Sequence, residues 1–294
     1  MFSTAHTLEL GGAKLNVIDY GGTGPDILLV HSPGYCAPAW DFVARELDGR
    51  AHAWALDLPG HGHSGGDLVD AASTRQLIAD VAAALGLTRP VLAGLDFSGY
   101  YVLAVAAEHP SMARAVVSQG GFAVRERALS SDMLDLAVSS AMTEELRGRF
   151  LFGVTGSGTA DREELVDQFA SRSARDWLLT DIEPGLRHEI EWSMKDLPDG
   201  TWIHLPRPET VQAGFRVTEE DPFFPEPGLF EKVKVPTWLL LAQGGPDDDL
   251  FDAARRIGRS HEHVTFVGID GGFGAHYQAA ARWAEVLLTA AETP

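Results

Sequence analysis

Asp96 is the residue whose type and setting most strongly suggest chemistry. It lies in the run VLAGLDFSGY, between an apolar segment that predicts a strand and one that predicts a helix. Gly94 and Gly99 flank it at positions minus two and plus three, which allows a tight strand-to-helix turn that lifts the central side chain above the sheet edge. A carboxylate is ionised at neutral pH and can attack saturated carbon without an activating base. A helix cap is the other common role of an aspartate in this setting.

The elements around Asp96 follow a regular alternation. Short apolar runs rich in β-branched residues alternate with helical patterns, which is typical of βαβ units and predicts a mostly parallel sheet flanked by helices. The predicted strands cover residues 15–20, 26–31, 52–56, 90–95, 113–118, 237–242 and 263–269, and the predicted helices cover residues 40–47, 74–85, 99–108, 250–258 and 277–290.

Residues 122–234 interrupt this alternation with helical patterns and Pro-rich joints, and they contain no clear strand pattern. We predict that they form an inserted helical lid on a core made of residues 1–121 and 235–294. Side chains of the lid with ring N–H groups are candidate substrate contacts, although most lid aromatics pack against a core. These candidates are Trp177, Trp192, Trp202, His188 and His204.

Two further motifs precede Asp96, LLVHSPG at residues 28–34 and ALDLPGHGHS at residues 55–64. Together with the Asp96 turn they resemble the signatures of the α/β-hydrolase fold superfamily, and only the lid falls outside the resemblance. An aspartate at the turn is similar to the branch that contains haloalkane dehalogenases, fluoroacetate dehalogenases and soluble-type epoxide hydrolases. The resemblance implies an α/β-hydrolase fold and an alkyl ester formed on Asp96, which water must then hydrolyse.

The resemblance also implies partners for that hydrolysis, namely a histidine that activates water and an acid that orients it. The turn after predicted strand 237–242 resembles the family's glycine, two spacers, aspartate pattern, which implies Asp248 as the acid and Asp247 as the alternative. His276 is the one histidine in residues 271–277 and is the candidate base. Phe273 stands where the family's histidine falls when counted back from the final helix, so the alternative is that Phe273 has replaced the base.

The loop that begins at His31 is expected beside the pocket, but it departs from the family's pattern. Pro33 occupies a position that normally donates an oxyanion-binding N–H, and proline has none. The Ser32 hydroxyl or the Gly34 N–H could substitute, with the Phe97 N–H as a further donor. Phe97 also replaces the tryptophan whose indole holds halide in the dehalogenases, which argues against halide release.

All five tyrosines lie outside the lid, whereas epoxide hydrolases of this family protonate the opening ring with lid tyrosines. Three functions therefore stay open. The first is a hydrolase that uses Asp96 as nucleophile on a small, largely apolar epoxide or halide. The second is a cyclase, lyase, isomerase or decarboxylase in which Asp96 is a general acid or base. The third is a non-catalytic protein that binds a ligand in the same pocket.

Composition and net charge narrow the classes of possible binding partner. A formal net charge of −19 over 294 residues disfavours nucleic acid and anionic membranes, which leaves a small-molecule substrate and a possible homodimer. No cofactor fingerprint or metal-ligand spacing is recognisable, so we expect chemistry without cofactor or metal. A single cysteine excludes an internal disulfide, and the first residues carry no secretory pattern, which favours a cytoplasmic location.

Overall fold

A computed structural model describes residues 3–173, 183–244, 248–272 and 274–293. Seven predicted strands form within two residues of their expected ends, and an additional N-terminal strand precedes them. In the described residues the strands are β1 (Thr4–Leu10), β2 (Ala13–Asp19), β3 (Asp26–Val30), β4 (His52–Leu56), β5 (Val91–Gly94), β6 (Ala115–Gln119), β7 (Thr155–Ser157), β8 (Met194–Asp196), β9 (Thr201–His204), β10 (Thr237–Gln243) and β11 (Val264–Asp270).

Eight of these strands form the central sheet, in the order β1-β2-β4-β3-β5-β6-β10-β11. Strand β2 pairs antiparallel with both β1 and β4, and every other neighbouring pair is parallel. The predicted mostly parallel sheet is confirmed. Because β3, β5 and β6 are parallel neighbours, their carboxyl ends meet at one edge of the sheet, where the loops that follow them converge.

Helices cover both faces of this sheet, and further helices lie in the segment of residues 122–234. In the described residues they are α1 (Asp41–Leu47), α2 (Ala71–Ala84), α3 (Phe97–Glu108), α4 (Arg127–Ala137), α5 (Ser140–Phe150), α6 (Gly158–Ser173), α7 (Glu183–Trp192), α8 (Pro208–Gly214), α9 (Leu229–Lys232), α10 (Phe251–Ser260), α11 (Ala275–Gln278) and α12 (Ala280–Ala291). No helix within the described ranges is long and apolar enough to cross a membrane.

Alternation along β3 shows how the core divides between the two faces. Leu28 and Val30 point into the cluster that α2, α3 and α10 cover, while Ile27 and Leu29 point into the cluster that α1 and α12 cover. All four side chains are fully buried. A strand buried on both faces is apolar at every position, and this explains the continuous apolar run in the sequence.

The lid contains helices α4 to α9 and a small antiparallel sheet in the order β7-β9-β8. The expectation that the lid lacks strands is therefore wrong. These strands are only three or four residues long, too short for an alternating hydrophobic pattern to be recognised. Trp202 of β9 is buried in an apolar cluster made mostly of lid residues, which Tyr277 of the core joins.

Candidate active site

The turn that carries Asp96 has the strained geometry expected of a nucleophile elbow. Asp96 has φ 51° and ψ −120°, between the end of β5 and the start of α3. A Cβ on Gly94 would lie 2.1 Å from the Ser98 carbonyl oxygen, and one on Gly99 would lie 2.4 Å from the Gln119 carbonyl oxygen. Glycine is therefore required at both flanking positions, and positive φ at a non-glycine residue costs roughly 1–3 kcal/mol.

The Asp96 side chain is oriented by Ser32, from the loop after β3. The Ser32 hydroxyl donates a hydrogen bond to Asp96 Oδ2 at 2.8 Å, and the Phe97 N–H donates to Ser32 Oγ at 3.3 Å. Asp96 makes no side-chain capping bond to α3 in the described part of the chain. This arrangement holds one carboxylate oxygen by a hydroxyl and turns the residue toward the cavity described below.

The next residues of the loop after β3, Pro33 and Gly34, do not offer a free N–H to an oxyanion in the described part of the chain. The Gly34 N–H donates to His61 Nε2 at 3.0 Å, so it is already engaged, and Pro33 has no N–H to offer. His31 is fully buried, with Nδ1 near the Ser32 carbonyl oxygen and Nε2 accepting the Leu58 N–H at 2.9 Å. Burial lowers the pKa of His31 well below its usual value, so this histidine is a neutral support of the loop.

A cavity of about 590 Å³ lies between the sheet edge and the lid. Asp96, Pro33, Gly34 and Tyr35 line it from the core side. The lid side is mostly apolar, and its lining includes Leu146, Phe150, Phe152, Phe169, Leu186 and Val211. This volume suits a small molecule, and the apolar walls suit a largely hydrocarbon body.

Tyr35 and Glu189 were not recognised from the sequence, and both line this cavity. Burial raises the pKa of Tyr35 well above its usual value, and the charges of Glu189 and Asp96 raise it further. The phenol therefore lies within electrostatic range of both carboxyl groups and stays protonated. Its signal in the sequence was its place directly after Gly34, in a loop that parallel-sheet topology brings to the reactive edge.

Glu189 lies on lid helix α7 and is 5% exposed. Its Oε1 accepts the Cys36 N–H at 3.3 Å, and its Oε2 accepts the Tyr277 hydroxyl. Burial raises the pKa of Glu189 to about 7, against the opposing effect of these hydrogen bonds. Nothing in the sequence distinguishes this glutamate from its neighbours in α7, because its burial depends on how the lid packs on the core.

Gln119 is a third cavity residue that the sequence did not reveal. It ends β6, lines the cavity and is 6% exposed. Its Oε1 has no hydrogen-bond partner among the described residues. A buried amide without a partner is costly, so this group is suited to bind a polar group of a ligand.

His276, the predicted base, is fully buried and is not part of the cavity lining. Its ring packs edge-on against Tyr35, with centroids 5.4 Å apart, and lies 6.4 Å from the Trp40 ring. Neither ring nitrogen has a hydrogen-bond partner in the described ranges. Burial lowers the pKa of His276 to about 3, so it is neutral at physiological pH.

Asp248, predicted to orient the base, is exposed, and its Oδ1 accepts the Gly244 N–H at 2.9 Å. The structure thus gives Asp248 a turn-stabilising contact and no hydrogen bond to His276. Its alternative Asp247, the substituted position Phe273 and the lid residue Trp177 lie outside the described residues.

Of the remaining predicted lid contacts, His204 lines the cavity, whereas Trp192, Trp202 and His188 face other parts of the molecule. The Trp192 indole N–H donates to Asp57 Oδ2 at 2.9 Å, and that of Trp202 donates to the Gly158 carbonyl at 3.2 Å. His188 is exposed, and its Nδ1 lies 2.7 Å from Asp41 Oδ2. That hydrogen bond raises the pKa of His188. Trp192 and His188 thus join the lid to the core, and neither of them nor Trp202 is part of the cavity lining.

Phe97 is fully buried behind Asp96 and packs on Phe122 and Phe215, with centroids 4.7 and 4.4 Å away. Both of these partners line the cavity. Phe97 therefore supports the cavity wall, while its backbone N–H holds Ser32. No group of three or more metal-ligating side chains is placed to hold a metal ion within the described part of the chain.

The fold and the elbow define an α/β hydrolase, and comparison with known proteins agrees. The chain matches the alpha/beta hydrolase family over residues 27–286 and belongs to that family. It is 30% identical over 178 residues to the dihydrolipoyllysine-residue acetyltransferase component of an acetoin-cleaving system from Pseudomonas putida. That alignment covers 58% of this chain and 42% of the relative, so the chain spans less than half of that protein.

Solved structures share the whole architecture at low sequence identity. The structure of E-2-(acetamidomethylene)succinate hydrolase aligns with a TM-score of 0.75 at 16% identity and covers 98% of both chains. An enol-lactonase from Burkholderia xenovorans aligns with a TM-score of 0.67 at 15% identity, over 97% of this chain and 99% of that one. At these identities the similarity establishes the fold and leaves the reaction to be argued from the site.

Proposed function

We propose that this protein is an epoxide hydrolase-like enzyme in which Asp96 attacks carbon of a small, mainly apolar substrate and forms an alkyl ester. The observation that carries the proposal is the hydrogen bond from the Ser32 hydroxyl to Asp96 Oδ2 at the elbow apex. In this proposal Oδ1 is the attacking oxygen. A carboxylate oriented by a hydroxyl donor beside an apolar cavity is suited to displacement at carbon.

The same hydroxyl serves the second step. Once Oδ1 carries the alkyl group, Oδ2 is the carbonyl oxygen of the ester and develops negative charge when water adds. Ser32 is then an oxyanion donor already in place, and the Phe97 N–H at 3.3 Å polarises its hydroxyl. This explains how a site with Pro33 and an engaged Gly34 N–H can still stabilise an oxyanion.

An oxygen leaving group suits this cavity better than a halide. Tyr35 supplies a protonated phenol beside Asp96, so it can donate its proton to the oxygen of an opening epoxide. Halide stabilisation needs N–H donors, yet the indoles of Trp192 and Trp202 bind Asp57 and Gly158. Phe97 has no side-chain donor at all.

The experiment compares two probes of similar size, styrene oxide and 1-chlorohexane. We expect the purified protein to convert the epoxide to its diol and to release no chloride. Chloride release at a rate equal to diol formation would contradict the choice of leaving group, and failure to act on a broad epoxide panel would contradict the function.

A second candidate function is non-hydrolytic acid–base catalysis, in which Asp96 moves a proton in an isomerisation, elimination or decarboxylation. The position of His276 outside the cavity lining favours it, because the expected base for ester hydrolysis is then absent from the described lining. This function predicts turnover without any covalent adduct on Asp96. Peptide mass spectrometry of rapidly quenched enzyme distinguishes the two functions.

A further inference from the structure

Glu189 is a carboxyl group that the lid brings into the cavity that holds Asp96. It is nearly buried, at 5% exposure, whereas Glu191 on the same helix is exposed. An unpaired charge is costly in such a place, so a glutamate there needs a physical reason. Packing does not supply one, because an apolar residue would fill the same space without that cost.

Helix α7 fixes the position of Glu189 on both sides. One residue before it, His188 binds Asp41, and three residues after it, Trp192 binds Asp57. Both partners belong to the core. The carboxyl group is thereby held over the core, and such fixed placement is what proton transfer requires.

The groups that face Glu189 come from three core segments. Cys36 donates its backbone N–H at 3.3 Å, its thiol lies 3.8 Å from Oε1, and the Tyr277 hydroxyl binds Oε2. Burial, and to a smaller extent the charge of Asp41, raise the pKa of Glu189 to about 7. Tyr35 lies within electrostatic range, and Glu189 raises its pKa. No cation is among the principal influences on Glu189.

We infer that Glu189 is the general base that activates water for hydrolysis of the Asp96 ester. This inference rests on the proposed function. A base works best when its pKa lies near the working pH, and this condition is met by Glu189, with a pKa of about 7, and not by His276, with a pKa of about 3. Glu189 also lines the cavity, and His276 does not.

The proton balance closes within the cavity. In the first step, Asp96 Oδ1 bonds to an epoxide carbon, the C–O bond breaks, and the alkoxide oxygen takes the Tyr35 proton. In the second step, Glu189 takes a proton from water, and the hydroxide adds to the Asp96 carbonyl carbon. Collapse breaks the acyl C–O bond, the new Asp96 carboxyl protonates the leaving alkoxide, and Glu189 returns its proton to the Tyr35 phenolate. The sum is epoxide plus water to diol.

The test uses Glu189→Gln, which keeps the size of the side chain and an acceptor for Tyr277 but cannot take a proton. Wild-type and variant protein are mixed with styrene oxide, quenched at intervals and analysed for an adduct on the peptide that contains Asp96. We expect the ester to form in both proteins and to accumulate in the variant, with a fall in steady-state turnover of about 10²–10⁴-fold. Glu191→Gln on the same helix is the matched control, and it should behave as wild type.

The pH profile separates a base from a structural group. Ester hydrolysis in the wild type should rise about tenfold per pH unit toward pH 7 and then level, because the ionised glutamate is the active form. The Tyr277 hydrogen bond lowers the pKa of Glu189. Tyr277→Phe should therefore shift the rising limb of the pH–rate profile to higher pH. Glu189→Gln should abolish the limb, and Glu189→Asp should restore part of it.

Two results would overturn the inference. One is a Glu189→Gln protein that hydrolyses the ester at the wild-type rate and keeps the same pH limb. The other, decisive if that variant does not fold, is a Tyr277→Phe protein whose limb is unmoved. Failure of the proposed function would look different, with diol formed but no adduct on Asp96 in any variant.

Discussion

The two sides of the cavity differ in how they are built. The core side, formed by the loops after β3 and β5, holds its reactive groups by hydrogen bonds and by a strained turn, as with Ser32 on Asp96 at 2.8 Å. The lid side is an apolar surface into which one carboxyl group, Glu189, projects. In the proposed mechanism the core therefore orients the nucleophile by geometry, while the lid selects the substrate by shape and contributes the proton acceptor.

The largest effect should follow a change at the centre of the core side. Asp96→Asn keeps the shape of the side chain but removes the ionised oxygen that attacks carbon, so turnover of styrene oxide should fall by about 10⁴-fold or more. Folding should be unaffected, since an amide can accept the Ser32 hydrogen bond. Steady-state diol formation measures the turnover, and a melting curve measures the folding. Residual activity within tenfold of wild type would exclude Asp96 as nucleophile.

Ser32→Ala tests the hydroxyl that orients Asp96. Loss of one oxyanion donor costs about 10²–10³-fold in turnover, so the ester should persist longer in quenched samples than it does in wild type. Ser130→Ala is the control, because Ser130 is also fully buried and donates to the Phe122 carbonyl at 3.1 Å, in the lid. An equal loss in both variants would mean that the Ser32 effect is a general cost of removing a buried hydroxyl.

On the lid side, Phe152→Leu should alter selection and leave the chemistry intact. Phe152 lines the cavity and lies 3.5 Å from where a Cβ on Gly34 would be. A smaller side chain weakens an apolar contact by about 1–3 kcal/mol, so kcat/KM for styrene oxide should fall by roughly tenfold or more while kcat changes little. A fall in kcat as large as that for Ser32→Ala would contradict the assignment of substrate selection to the lid side and of chemistry to the core side.

His276 should have the smallest effect on turnover and a clear effect on acid stability. Its folded pKa of about 3 lies below the usual 6.5, so between these values the unfolded chain binds more protons and stability falls as pH falls. The full penalty, reached below pH 3, is about 5 kcal/mol. The His276→Phe variant does not have this penalty. Its free energy of unfolding in urea should therefore exceed that of the wild type by an amount that grows from pH 6.5 toward pH 4. An advantage independent of pH, or a 10³-fold loss of turnover, would contradict this role.

The sequence predicted the central sheet and the turn at Asp96 well, because their signals are local. The glycines around Asp96 and the motifs that contain His31 and Asp57 determine turns by their own backbone requirements, and the sheet follows from apolar periodicity. The lid contacts depend on tertiary packing. The hydrogen bond from Trp192 to Asp57 and the burial of Glu189 therefore have no recognisable pattern in the sequence. Tyr35 was missed for a related reason, since proton donors were sought in the lid and this one comes from the core.

Oxygen transfer in a single turnover tests the central claim most directly. Excess enzyme is mixed with styrene oxide in heavy-oxygen water. The masses of the released diol and of the peptide that contains Asp96 are then measured by mass spectrometry. Because water attacks the ester carbonyl, the label should enter the Asp96 carboxylate, and the first diol released should carry the original Asp96 oxygen. Label found in the diol, with an unlabelled Asp96, would contradict the account.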